Sequence, residues 1–158
     1  ILEKNIPMNP VFDVQKTIRQ NLLKILDNHS LEQLNKIPQG FSNNLIWNIA
    51  HCVATHQVLV YKLSGLPTMV PEKFIEKYRK GTKPEGDVSQ AEVDDVRALL
   101  QSTFEQVQKD YEAKIFKTYR EYETSVGFTL RNVDGALSFN NYHEGLHVGI
   151  AMSIRKFV

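Results

Sequence analysis

The chain has 158 residues, 42% apolar and 23% charged, with a net charge of +1. That is enough for one domain over residues 1–158 with a real core, in the ordinary range for a soluble globular protein. Its basic residues are scattered and no apolar run approaches the ~18–20 residues of a membrane span, so neither nucleic acid nor membrane is an expected partner.

In chain order, Asn9-Pro10 offers a helix start, with proline at the first helical position where its missing N–H does no harm. Val11, Val14, Ile18, Leu22 and Ile25 then recur at three and four, predicting one apolar face to about Asp27. Residues 31–37 predict a short helical turn that Pro38 and Gly40 stop. A second long helix is expected from a cap at Ser42 or Asn43 through Leu63, ended by Gly65 and Pro67. Residues 66–88 connect onward, and PEKFIEKYRKG within them predicts a short helix. Ser89-Gln90-Ala91-Glu92 is a capping box, and Val93, Val96, Leu99, Leu100, Phe104 and Val107 carry a third long helix to about Tyr111. After a mixed stretch with a loop at 124–127, a fourth helix starts near Asn132. Val133, Ala136, Leu137, Asn140, His143, His147, Ile150, Ala151 and Ile154 are expected on its inner side. Four long amphipathic helices in one domain predict an all-α four-helix bundle. The connector between helices two and three is long enough to cross it, leaving helices two and four antiparallel.

The start ILEKNIPMNP shows neither the charged opening nor the apolar stretch of a signal peptide. A single cysteine, Cys52, suits a reducing, cytoplasmic setting and reads as a small buried hydrophobe.

The last helix carries His143-Glu144-Gly145-Leu146-His147, the H-E-x-x-H spelling of a zinc protease. Residues at i and i+4 share a helix face, which lets two imidazoles reach one metal ion. The protease reading needs a third ligand downstream, and VGIAMSIRKFV offers no His, Asp, Glu or Cys. Gly145 also weakens a rigid ligand helix, so that reading is set aside. A third ligand stands upstream instead. His51 lies on the stripe Trp47, His51, Ala54 and Val58 of the second helix, level with His143 and His147 if helices two and four are antiparallel. A histidine on an apolar stripe is otherwise a satisfied core residue.

His56 is rotated away toward a neighbouring helix or solvent, and His29 reads as a C-terminal cap or surface residue. Glu144 is a possible general base, although its position one residue past His143 favours a supporting or surface role. Asn140 and Asn48, each three residues before a proposed ligand, are expected to line or support the pocket. Phe74, Tyr78, Arg79 and Lys80 of the connector are candidates to cap its opening, or simply a solvated helix face. Three neutral imidazoles leave a coordination position open, and such a triad suits Zn²⁺ or Ni²⁺ without choosing between them.

The pairing of IWNIAH with NNYHEGLHVGIAMSIR resembles the DinB-like superfamily of bacterial four-helix bundles. His51 after Trp47 matches its second-helix ligand, while His143, His147 and Gly149 match its last-helix pattern. Many members follow that glycine with glutamine, where this chain has Ile150. The resemblance implies an up-down-down-up topology, a three-histidine metal site and a small-molecule substrate. It further implies a homodimer and either a thiol S-transferase, using a low-molecular-weight thiol, or a metal-dependent hydrolase. A non-catalytic metal or small-ligand binding protein, or histidines that only pin the fold, are the alternatives.

Overall fold

The computed structural model describes residues 9–158; the first eight residues, which carry most of the signal-peptide reading and the start of the domain, lie outside them. The described chain is all-α apart from one two-residue hairpin.

Helix α1, Pro10–Asp27, is capped by Asn9, whose side chain accepts the Val11 N–H. Its buried face corrects the expected one. Phe12, Gln15, Arg19, Leu22, Ile25 and Leu26 are buried, while Val14 is 49% exposed and Val11 and Ile18 are only half-buried. Two polar side chains on the inner stripe disguised it, because Arg19 has a buried partner that only the fold supplies.

Helix α2, Leu31–Asn35, is short and closed by a capping box between Ser30 and Gln33. Helix α3, Leu45–Val60, is capped by Asn44 rather than Ser42 or Asn43. It ends earlier than expected, in a 3₁₀ turn over Lys62–Ser64 that Gly65 stops with φ of 72°. Nearly every α3 residue is buried, as befits a helix apolar all round, and α1, α2, α4, α5 and α6 all pack on it.

Helix α4, Glu72–Tyr78, lies in the connector against α3. Asn35 ties the connector's far end to α2 through both the N–H and the carbonyl of Val88. Helix α5, Gln90–Glu112, starts on the predicted Ser89/Glu92 capping box. Strands β1, Tyr122–Glu123, and β2, Thr129–Leu130, pair antiparallel around a turn that Gly127 closes at φ of 80°. Helix α6, Val133–Ile154, is capped by Asn132 and packs on α3 and α1. Its inner side holds Ala136, Leu137, Asn140, Glu144, Ala151 and Ile154. Ile150, expected there, is 37% exposed instead, and His143 and His147 are half-buried at the edge of the core.

The packing levels are set by a few contacts. Phe12, Val60, Val107 and Leu137 share one apolar cluster, and Leu22, Leu26, Leu45, Val93, Ala151 and Ile154 belong to another. Arg19 of α1 joins Glu144 of α6 and Leu100 and Thr103 of α5 between them.

Candidate metal centre

His51 sits mid-way along α3, and His143 and His147 stand one turn apart on α6. Their ring centroids are 4.6 to 4.9 Å apart pairwise. One ring nitrogen from each lies within 4.8 Å of the other two. The packing of α3 on α6 therefore brings together residues ninety-two positions apart in sequence.

Two hydrogen bonds fix which nitrogen His147 and His51 offer. The Asn48 amide nitrogen donates to the Asn44 carbonyl and to Asn43 Oδ1, both at 2.8 Å. Its Oδ1 is thereby turned toward His147 Nδ1, 2.8 Å away, where it can only accept. His147 therefore carries its proton on Nδ1 and leaves a lone pair on Nε2. The main-chain carbonyl of Tyr78, 2.6 Å from His51 Nδ1, does the same for His51. The Trp47 ring stacks on the His51 ring, 4.8 Å between centroids and 9° from parallel, and closes that face.

His143 Nε2 lies 3.0 Å from His51 Nε2, while His143 Nδ1 is buried without a partner. With the proton on Nε2, His143 donates to His51 and leaves a bare nitrogen in the core. With it on Nδ1, that buried N–H is the group without an acceptor, while lone pairs from all three rings converge on Nε2 where a divalent cation would satisfy them together. The rings are held neutral in either tautomer. Burial first, then the neighbouring His147 and His51, push His143 down to about 3. Burial and His51 push His147 down to about 4. Burial also lowers His51, against the Tyr78 hydrogen bond that raises it. All three rings are neutral near pH 7, as metal binding requires. The donor set fits a zinc- or nickel-type cation.

Asn48 is thus placed to orient a ligand. Asn48→Ala is expected to weaken metal binding by about 10- to 100-fold without removing a ligand, measured by competition with a chromophoric chelator. An affinity within twofold of the parent protein would contradict this role.

The other candidates go elsewhere. The Glu144 carboxylate is fully buried and engaged by Arg19, with Nη2 2.7 Å and Nε 2.9 Å from its two oxygens. Asn140 donates to the same carboxylate at 2.9 Å, and its own Oδ1 has no partner. Both side chains belong to a core ion pair, and no hydrogen bond among the described residues joins them to the three rings. His56 is fully buried with its Nε2 unpartnered, rather than turned to solvent. His29 caps the Ile25 carbonyl at 2.7 Å, and Cys52 is buried. Of the connector, Tyr78 reaches the site through its carbonyl, while Arg79 and Lys80 are exposed.

A family model described as the DinB superfamily matches residues 16–151. The chain belongs to the DinB superfamily. Among solved structures, a conserved protein from Enterococcus faecalis is similar at a TM-score of 0.66 and 10% identity, covering 94% of this chain and 95% of that one. At that identity the likeness shows the fold alone. No curated protein matches the chain significantly. No helix among the described residues is long and apolar enough to cross a membrane.

Sequence reading missed two contributors to this DinB-superfamily site. The Tyr78 carbonyl is main chain and carries no side-chain signal. Arg19 had one: Phe12, Gln15, Arg19, Leu22 and Leu26 are spaced as regularly on a helix as the all-apolar stripe, once a buried partner for the arginine is allowed.

Proposed function

We propose that this protein binds a divalent cation, zinc or nickel, through the Nε2 atoms of His51, His143 and His147, and uses it on a small molecule. The favoured reactions are thiol S-transfer and hydrolysis. The observation that carries this is the convergence of three neutral imidazoles, two of them with their Nδ1 protons held by Tyr78 and Asn48. Membership of a superfamily whose proteins are generally metal-associated supports it. When bound, the cation supplies Lewis-acid polarisation and acidifies a group at its open position.

The chain's own residues do the rest. Tyr78 and Asn48 keep the Nδ1 protons in place, so the lone pairs face the centre. Trp47 shields one face of His51 from water. The Thr55 hydroxyl, 3.4 Å from His51 Nε2, gives an incoming group a hydrogen-bonding partner. Arg19 holds Glu144 and thereby the rotation of α6 about its axis, which aims His143 and His147.

Contacts between elements support an up-down-down-up four-helix bundle as the scaffold. Asn48 meets His147 while Val60 shares a cluster with Leu137, as antiparallel α3 and α6 require. Phe12 meets Leu137 and Arg19 meets Glu144, as parallel α1 and α6 require.

One observation favours a binder without turnover. Glu144, the carboxylate next to the ligands in sequence, is taken up by Arg19 and is no free base.

Elemental analysis separates the readings at their root. About one divalent metal per chain is expected, falling to background in His51→Ala; a metal-free wild type after growth in metal-replete medium would end the proposal. Low-molecular-weight thiols with an electrophilic acceptor then test transferase against binder. Turnover is expected to vanish in His147→Ala, and a rate that survives that change would defeat metal catalysis.

A further inference from the structure

Two of the three ring nitrogens at the centre face each other. His51 Nε2 and His143 Nε2 are 3.0 Å apart, within reach of an N–H···N hydrogen bond. A neutral imidazole carries one proton, so one of its nitrogens donates and the other accepts. His51 has no choice, because its Nδ1 is 2.6 Å from the Tyr78 carbonyl, an oxygen that only accepts. Its Nε2 is therefore a lone pair set against His143.

The His143 proton has two places to go, and they differ in what they leave unpaired. On Nε2 it is donated to His51, and the single cost is a buried Nδ1 lone pair without a donor. On Nδ1 it is a buried donor without an acceptor, and the hydrogen bond to His51 is lost. Two lone pairs then also confront each other at 3.0 Å. Three penalties against one decide the tautomer. The Thr55 hydroxyl lies near the same His51 lone pair, but at 3.4 Å it is the more distant donor.

We propose that in the metal-free protein one proton, held on His143 Nε2 and shared with His51 Nε2, latches α6 to α3. That proton masks two of the three ligand atoms. His147 Nε2 alone stays open, because Asn48 holds the His147 proton on Nδ1. Metal uptake then requires the latch to open. His143 gives up its Nε2 proton to solvent and takes one on Nδ1, so the ring stays neutral and no net proton is released. The consequence is an order of engagement: His147 meets an incoming cation first, and His51 and His143 become available together. The latch stands without the metal reading, whereas the switch rests on it.

Tautomers are read directly from imidazole proton–nitrogen correlations in chelator-treated protein made with isotope-labelled histidine. His143→Gln identifies the His143 signals by their loss. Before metal is added, the proton is expected on Nε2 of His143 and on Nδ1 of His51 and His147. A scalar coupling is expected between His143 Nε2 and His51 Nε2 across the shared proton. One equivalent of zinc is expected to abolish that coupling and shift the His143 proton to Nδ1, while His51 and His147 keep theirs. A His143 proton on Nδ1 before metal is added overturns the latch. Zinc bound with the His143 proton still on Nε2 overturns the switch. A latched spectrum in a protein that takes up no zinc ends the metal reading while supporting the latch, so the two failures are distinct.

Discussion

Arg19→Ala is expected to lower the unfolding free energy by about 3–5 kcal/mol, a large share of the roughly 5–15 kcal/mol available to a domain. Arg19 and Glu144 are almost wholly buried, at 2% and 0% exposure, and their ion pair is bidentate. The guanidinium also reaches the Leu100 carbonyl at 3.1 Å and Thr103 Oγ1 at 3.2 Å, so one side chain ties α1 to α5 and α6. Removing it strands the Glu144 carboxylate in the core with only Asn140 as donor. The loss comes from that stranded charge and not from the attraction forgone, so removing both charges is far milder. Arg19→Met combined with Glu144→Leu should recover most of the stability, because apolar side chains of similar volume replace both charges. Urea unfolding of the single and double variants measures this. A single variant within about 1 kcal/mol of wild type would show that the pair does not carry the interface. The same experiment bears on the H-E-x-x-H spelling, since a glutamate that holds two helices together is not available to take a proton from water.

Acid should destabilise the metal-free protein well before its carboxylates titrate. His143 and His147 are lowered to about 3 and about 4, His51 is lowered, and His56 is pushed well down by burial and by Arg19. Above the unfolded value of about 6.5, folded and unfolded chains are both neutral at these sites and stability is at its plateau. Below it, the unfolded chain takes up protons that the folded core refuses. Stability therefore falls as pH drops from about 6.5 toward 4, by up to about 1.4 kcal/mol per pH unit for each histidine involved. The slope of unfolding free energy against pH, measured on chelator-treated protein, tests the sign. His143→Leu should reduce that slope by about one proton. A flat profile between pH 6.5 and 5 would mean the rings are not held neutral. On the proposed metal reading, a bound cation would add stability at neutral pH by mass action and lose hold over the same window, because protons compete for the same nitrogens.

The element plan and the three histidines could be read from the chain, and the physical reasons are local. Capping boxes at Ser89, proline at the first position of α1 and three- and four-residue spacings act within one or two turns, so they survive without tertiary context. His143 and His147 share a face by helix geometry alone. Everything that depended on a partner from another element was read less well. The apolar spacing puts Val14 in the core and leaves Arg19 out, because an arginine is buried only where a carboxylate waits for it. Ile150 is expected inside but is 37% exposed, while Glu144, expected off the inner side, is fully buried against Arg19.

By itself the sequence determined that the chain is helical, where α1, α5 and α6 begin, and which imidazoles share a face. Tertiary structure alone decided that His51 comes within 3.0 Å of His143, that a tyrosine carbonyl and an asparagine side chain hold the Nδ1 protons of His51 and His147, and that Glu144 is a core ion-pair partner. The reason is the range of the forces. Helix propensity and capping act over a few residues, whereas desolvation of a charge or a lone pair depends on what other segments bring to it.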